Sequence, residues 1–142
     1  MSLVGILTVS DRSSRGSRPD SSGPALVEKL AGAGLSVTQT AIVPDEVSEI
    51  SRVLVEWSDN IGLDLILTTG GTGLYPRDVT PEATMQVITR VIPGMAEVMR
   101  AVSLSKTPHA MISRAIAGVR NSTLIINLPG SPKGAIENLE AV

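Results

Sequence analysis

The chain has 142 residues and a mass of 14.8 kDa, the size of a single domain able to bury a real hydrophobic core. It has no cysteine and a single histidine, His109, which excludes a disulfide scaffold, a thiol nucleophile and a multi-histidine metal site. A net charge of −2 argues against nucleic-acid or anionic-membrane partners, and with only Trp57 and Tyr75 as aromatics the chain has no platform for stacking bases.

Leu3–Val9 is a near-continuous apolar run, the pattern of a strand covered on both faces. Residues 10–22 are polar and read as a loop. A helix is expected from about Pro24, with Leu26, Val27 and Leu30 as its stripe and Gly32 and Gly34 as its end. Residues 35–43 alternate partly and read as a second strand nearer an edge. Asp45 is placed to cap the next helix, whose stripe is Val47, Ile50, Leu54, Trp57 and Ile61 and which Gly62 stops. A third strand over 63–69 runs into Gly70-Gly71-Thr72-Gly73. Thr80-Pro81-Glu82 has the order of an N-cap, a first-turn proline and an early acid, with Met85, Ile88 and Val91 as the stripe that follows. Pro93-Gly94 separates it from a helix carrying Met95, Val98, Met99 and Val102. Residues 123–128 form a fourth buried strand, and Ser131-Pro132 opens a last helix with Ile136 and Leu139 on one side. Met85, Met95 and Met99 are expected to be core filler, and His109 to have no catalytic role.

Apolar strands alternating with helices predict an α/β fold: a three-layer α/β/α sandwich around a mostly parallel sheet, as one domain over residues 1–142. Such sheets bind ligands beyond the carboxyl ends of their strands. The loops after the four strands are therefore the candidate site. In the loop from Thr69 to Gly73, three glycines let backbone N–H groups converge as an anion nest, with threonine hydroxyls as further donors. A tight strand-to-helix turn without a ligand explains an isolated Gly-Gly-x-Gly equally well. Arg77 offers a planar fork to phosphate and Asp78 a carboxylate to hydrated Mg²⁺, although an Arg77–Asp78 pair in solvent is also common. Asp45 offers a second carboxylate at the same edge. Around Pro129, Gly130, Ser131 and Lys133, a capped helix start adds amides and a full positive charge. Together these loops suggest an enzyme that handles phosphates with Mg²⁺.

Gly5–Asp11, Ile42–Glu46, Leu67–Gly73, Pro76–Thr84, Pro93–Met95, Ser113-Arg114 and Thr123–Lys133, in that order, resemble the Mog/MoaB family of molybdenum-cofactor biosynthesis proteins, which includes the G domain of gephyrin. LTTGGTG followed by PRDVTPEAT carries most of the specificity. The CinA-like proteins have a similar glycine loop with a different stretch after it. The resemblance implies a usually trimeric enzyme that adenylylates molybdopterin with Mg-ATP and releases pyrophosphate, with a metal insertase of the same pathway as a candidate partner. The N-terminus lacks the pattern of a signal peptide and no apolar run is long enough to span a bilayer, so a cytoplasmic protein is expected. It implies that Asp45 and Asp78 are the important aspartates, taken here as Mg²⁺ ligands, and that the pterin and phosphates are bound by Ser10-Asp11, Thr69–Gly73 and Pro129–Lys133. Family domains usually carry the last helix further, so that helix is expected to be cut short here. A non-catalytic paralogue that binds molybdopterin or scaffolds a partner is the alternative.

The chemistry implied needs little acid–base help. A phosphate monoester has a second pKa of about 6 and is mostly dianionic at neutral pH. Catalysis is then positioning and charge neutralisation. With so few aromatics, the rings are expected to lie on backbone amides and aliphatic walls rather than on Phe or Trp.

Overall fold

The structure, a computed structural model, describes residues 2–142. Its strands are β1 (Leu3–Val9), β2 (Ser36–Val43), β3 (Leu65–Thr69), β4 (Arg90–Val91), β5 (Ala117–Arg120) and β6 (Thr123–Leu128). They form one sheet in the order β2-β1-β3-β6-β5-β4. The four strands expected from the sequence, β2, β1, β3 and β6, pair in parallel, and β2 lies at the edge as its partial alternation suggested. Sequence reasoning missed β5 and β4, which continue the sheet antiparallel. Ala117–Arg120 is short and contains glycine, and two residues at Arg90–Val91 carry no periodicity. A two-residue turn at Asn121-Ser122 joins β5 to β6, with Asn121 in the left-handed region at φ 53°.

The helices are α1 (Asp11–Ser14), α2 (Ser22–Gly32), α3 (Val47–Val55), α4 (Thr80–Val87), α5 (Pro93–Leu104) and α6 (Pro132–Ala141). A π-helical turn over Glu56–Ile61 extends α3 and ends at Gly62, which is left-handed at φ 73°. Alternation along β1 feeds two cores. Leu7 and Val9 pack with Ile50, Leu54, Trp57, Ala83 and Val87 beneath α3 and α4. Val4 and Ile6 pack with Leu26, Leu30, Met99 and Ala135 beneath α2, α5 and α6. This is the expected α/β/α sandwich.

Four local expectations change. Residues 10–22 are not all loop, because Ser10 accepts from the Ser13 N–H at 3.1 Å and caps the short α1. Asp45 does not cap α3: its N-cap is Glu46, which makes no side-chain cap bond. Thr80 lies inside α4, whose N-cap is Val79. The stripe expected after Thr80 also fails beyond the helix: Met85 is half exposed, Ile88 ends α4, and Val91 is exposed on β4. By contrast, Met99 is buried and Met95 packs against the second core.

A buried polar network crosses the sheet. The Asn127 amide donates to the hydroxyls of Thr68 (2.9 Å) and Thr84 (3.0 Å), while its carbonyl accepts from the Ile116 N–H at 3.2 Å. Thr84 in turn donates to the Thr80 carbonyl at 2.9 Å. Every member is paired, and removing the hub leaves several buried groups without partners. Asn127→Ala is expected to lower stability by about 1–3 kcal/mol, measured by urea unfolding at unchanged m-value.

Candidate active site

Parallel pairing puts the ends of β1, β2, β3 and β6 at one edge, and the loops that follow them enclose an open cleft of about 610 Å³. Backbone bonds set the strand ends side by side. The Ser10 N–H donates to the Val43 carbonyl at 2.9 Å, and the Gly70 N–H to the Leu128 carbonyl at 3.1 Å.

The glycines of the loop after β3 are required by space as well as by backbone angle. Gly70 and Gly71 are left-handed, at φ 103° and 71°. A Cβ on Gly70 would run into the Val9 carbonyl oxygen, and one on Gly71 into the Thr80 hydroxyl. The start of α4 holds the loop from below: the Thr80 N–H donates to the Gly71 carbonyl at 3.1 Å and its hydroxyl to the Gly70 carbonyl at 2.9 Å. The Thr69 hydroxyl is spent on the Pro129 carbonyl at 2.7 Å, so it braces two loops instead of facing an anion.

The carboxylates stand over this loop. Asp45 and Asp11 exchange reciprocal bonds between the ends of β2 and β1: the Asp11 N–H donates to Asp45 Oδ2 at 2.9 Å, and the Asp45 N–H donates to Asp11 Oδ1 at 3.0 Å. Asp45 Oδ1 is left facing Gly71, 3.2 Å from where a Cβ there would sit. Asp78 closes a tight turn by accepting from the Tyr75 N–H at 3.0 Å, and its Oδ2 lies 2.9 Å from where a Gly73 Cβ would sit. Arg77 pairs with Asp11 and not with Asp78. Its Nε and Nη2 donate to the two Asp11 oxygens at 3.0 and 2.8 Å. That fork holds the Asp11 carboxyl below its usual range, whereas burial, reinforced by the charges of Asp11 and Asp78, pushes Asp45 up.

Ser10, Asp11, Asp45, Thr69, Gly70, Gly71, Arg77, Asp78, Gly130 and Ser131 all line the cleft. Thr72, Gly73 and Pro129 border a neighbouring hollow of about 280 Å³, which Ser131 also touches. Lys133 is exposed on the first turn of α6 and lines neither. Ser131 does cap α6, accepting from the Gly134 N–H at 3.1 Å. His109 is exposed on a 3-10 turn at the hollow.

Sequence reasoning missed Arg12, Arg18, Asp20, Tyr75 and Arg114. The first four line the cleft, and Tyr75 is the aromatic there while Trp57 is in the core. Arg114 ties the loops together, donating to the carbonyls of Gly73 (2.8 Å) and Asp78 (2.7 Å) and to Glu82 at 2.6 Å. Its place in a stretch shared with the family was the available signal.

The donor set suits a hard cation. Asp45 Oδ1 and the Asp78 carboxylate are oxygen donors in a patch where neighbouring negative charge helps to raise the Asp45 pKa. Among the described residues no cluster of three metal-ligating side chains forms a closed cage. Mg²⁺ commonly takes one or two carboxylates and completes its shell with waters and substrate phosphates.

Asp45 gives a pH prediction with a definite sign. Its raised pKa means the ionised form is disfavoured in the fold, so the associated stability is complete below the ordinary carboxylate value of 3.8 and is lost as pH rises through the folded value. Asp45→Asn keeps an acceptor for the Asp11 N–H and removes the charge. It is expected to raise Tm at pH 7, with the gain shrinking as the pH falls toward the ordinary carboxylate range, as read by calorimetry across pH.

Comparison with known proteins shows the family. The family described as "probable molybdopterin binding domain" matches residues 5–142. The chain is 47% identical over 141 residues to a molybdopterin adenylyltransferase of Helicobacter pylori J99, covering 98% of this chain and 80% of that protein. It is 46% identical over 150 residues to gephyrin of Dictyostelium discoideum, covering 99% of this chain but 21% of gephyrin. The crystal structure of the molybdopterin biosynthesis enzyme MoaB from Thermus thermophilus superposes with a TM-score of 0.95 at 59% identity, covering 100% of this chain and 89% of that one. The chain belongs to the molybdopterin-binding domain family of molybdenum-cofactor biosynthesis proteins.

Proposed function

We propose that this chain is a molybdopterin adenylyltransferase, which transfers AMP from Mg-ATP to the terminal phosphate of molybdopterin. The observation that carries the reading is the meeting of a Cβ-free glycine loop with the Asp45 and Asp78 carboxylates in one cleft. Relatives at 44–47% identity bearing that name support it.

A terminal phosphate oxygen of molybdopterin forms a bond to the α-phosphorus of ATP, the bond from that phosphorus to the bridging oxygen breaks, and the electron pair leaves on pyrophosphate. The nucleophile is already dianionic, so no base has to remove a proton. The chain's part is to hold two anions together against their repulsion. The Gly71 amide and those that follow it are the donors for phosphate oxygens, and Gly130, packed against Gly70, lines the cleft beside them with Ser131. Asp45 and Asp78 are the residues that would hold Mg²⁺, which when bound neutralises phosphate charge. The reciprocal bonds between Asp11 and Asp45 fix the Asp45 carboxylate before substrate arrives. A cytoplasmic homotrimer acting ahead of a metal-insertase partner goes with this reading by family resemblance.

The test incubates the chain with molybdopterin, Mg²⁺ and α-labelled ATP and measures label on the pterin product. Transfer is expected, with a loss on the order of a hundredfold in Asp78→Asn that Mn²⁺ partly restores. No transfer alongside tight, ATP-independent pterin binding in calorimetry would replace this reading with a non-catalytic binding role. A steep pH dependence tracking one carboxylate at unchanged Mg²⁺ affinity would instead make that carboxylate a general base.

A further inference from the structure

Three arginines line the cleft, and they are not equivalent. Arg77 is committed: its fork lies along both oxygens of Asp11, with Glu46 a further 3.9 Å contact. A guanidinium held this way has little left to offer a phosphate. Arg12 and Arg18 have no carboxylate partner among the described residues. They come from α1 and the segment after it. That turn is set by the Ser10 cap and by Ser17, whose N–H and hydroxyl both donate to the Arg12 carbonyl, at 3.0 and 3.1 Å. The remaining acid near them, Asp20, is occupied by the Thr8 hydroxyl at 2.8 Å and the Gly23 N–H at 3.1 Å. The cleft is therefore divided. Carboxylates stand over the glycine loop, and two unneutralised guanidinium groups stand on the segment after β1.

We propose that Arg12 and Arg18 form the subsite for the β- and γ-phosphates of the nucleotide, and so for the pyrophosphate that leaves, while Arg77 positions Asp11 and binds no phosphate. The proposal rests on the adenylyltransferase reading for its place in the reaction. Negative charge develops on the leaving pyrophosphate as the α-phosphorus to bridging-oxygen bond breaks and the molybdopterin phosphate oxygen bonds to that phosphorus. Planar forks aimed at that charge would stabilise the transition state as well as the bound nucleotide. The assignment also changes the roles of Asp11 and Arg77 from ligand contacts to supports of Asp45.

The test is calorimetric titration of the full chain with magnesium pyrophosphate, which requires no molybdopterin. The double substitution Arg12→Ala with Arg18→Ala is expected to weaken binding roughly ten- to hundredfold. Arg15→Ala, on the same exposed turn but outside the cleft lining, is expected to change it by about twofold or less because distant surface charge is screened. Both replaced side chains are exposed, so thermal unfolding should be unchanged. Wild-type affinity in the double variant, or an equal loss in Arg15→Ala, would overturn the proposal. If the wild-type chain binds pyrophosphate through Arg12 and Arg18 yet transfers no AMP, the adenylyltransferase reading fails and the subsite stands.

Discussion

A backbone that turns its amides toward an anion turns its carbonyls away, and those carbonyls need donors on the far side. In the loop after β3 the donor is Thr80, whose N–H and hydroxyl take the Gly71 and Gly70 carbonyls. Thr80 can do this because it sits inside the first turn of α4, where its N–H has no partner within the helix. Its own carbonyl accepts from Thr84, Thr84 is held by Asn127, and Asn127 reaches Thr68 on β3. The loop's shape therefore follows from a chain of satisfied polar groups running back through the sheet. With no Cβ at Gly70 and Gly71, the loop can lie against Val9 and Thr80 at once.

The charged groups are built on that platform in order. Parallel strands bring Asp11 and Asp45 to adjacent positions, where each carboxylate accepts the other's N–H. Two carboxylates this close would repel, and the Arg77 fork bonds to Asp11, not to Asp45. Asp45 keeps its own charge in a half-buried place at a cost to stability. Active sites often store such strain where a ligand or cation will later relieve it. Arg114 secures the other side by joining the glycine loop, the Asp78 turn and Glu82, and its guanidinium lowers the Glu82 pKa.

Long patterns were legible in the sequence and short devices were not. The run at Leu3–Val9 and the stripe from Val47 to Ile61 are repeated physical statements, so the parallel strands and α3 came through, with Gly62 as its stop. β4 and β5 are too short to have a period. Capping residues are ambiguous because Asp and Thr serve equally well as caps and as long-range partners. Asp45 and Thr80 have the sequence context of caps, and each is used across the fold instead. At the site, glycines and aspartates were legible as types in loops after strands. The partner of Arg77 was not, because Asp11 lies 66 residues away in sequence. Nor was the sorting of Arg12 and Arg18 into the cleft and Lys133 out of it, which depends on where α1 and α6 begin.

A Cβ-free loop, held from behind by Thr80, and a divided set of charges together make one cleft at the carboxyl ends of the parallel strands, the place proposed for the nucleotide. A crystal structure with Mg²⁺ and a non-hydrolysable ATP analogue tests this most directly. The account predicts phosphate density against the Gly71 amide, the metal between Asp45 and Asp78, and the terminal phosphates at Arg12 and Arg18. Nucleotide bound elsewhere on the sheet, or phosphates held by Arg77 with Asp11 released, would contradict it.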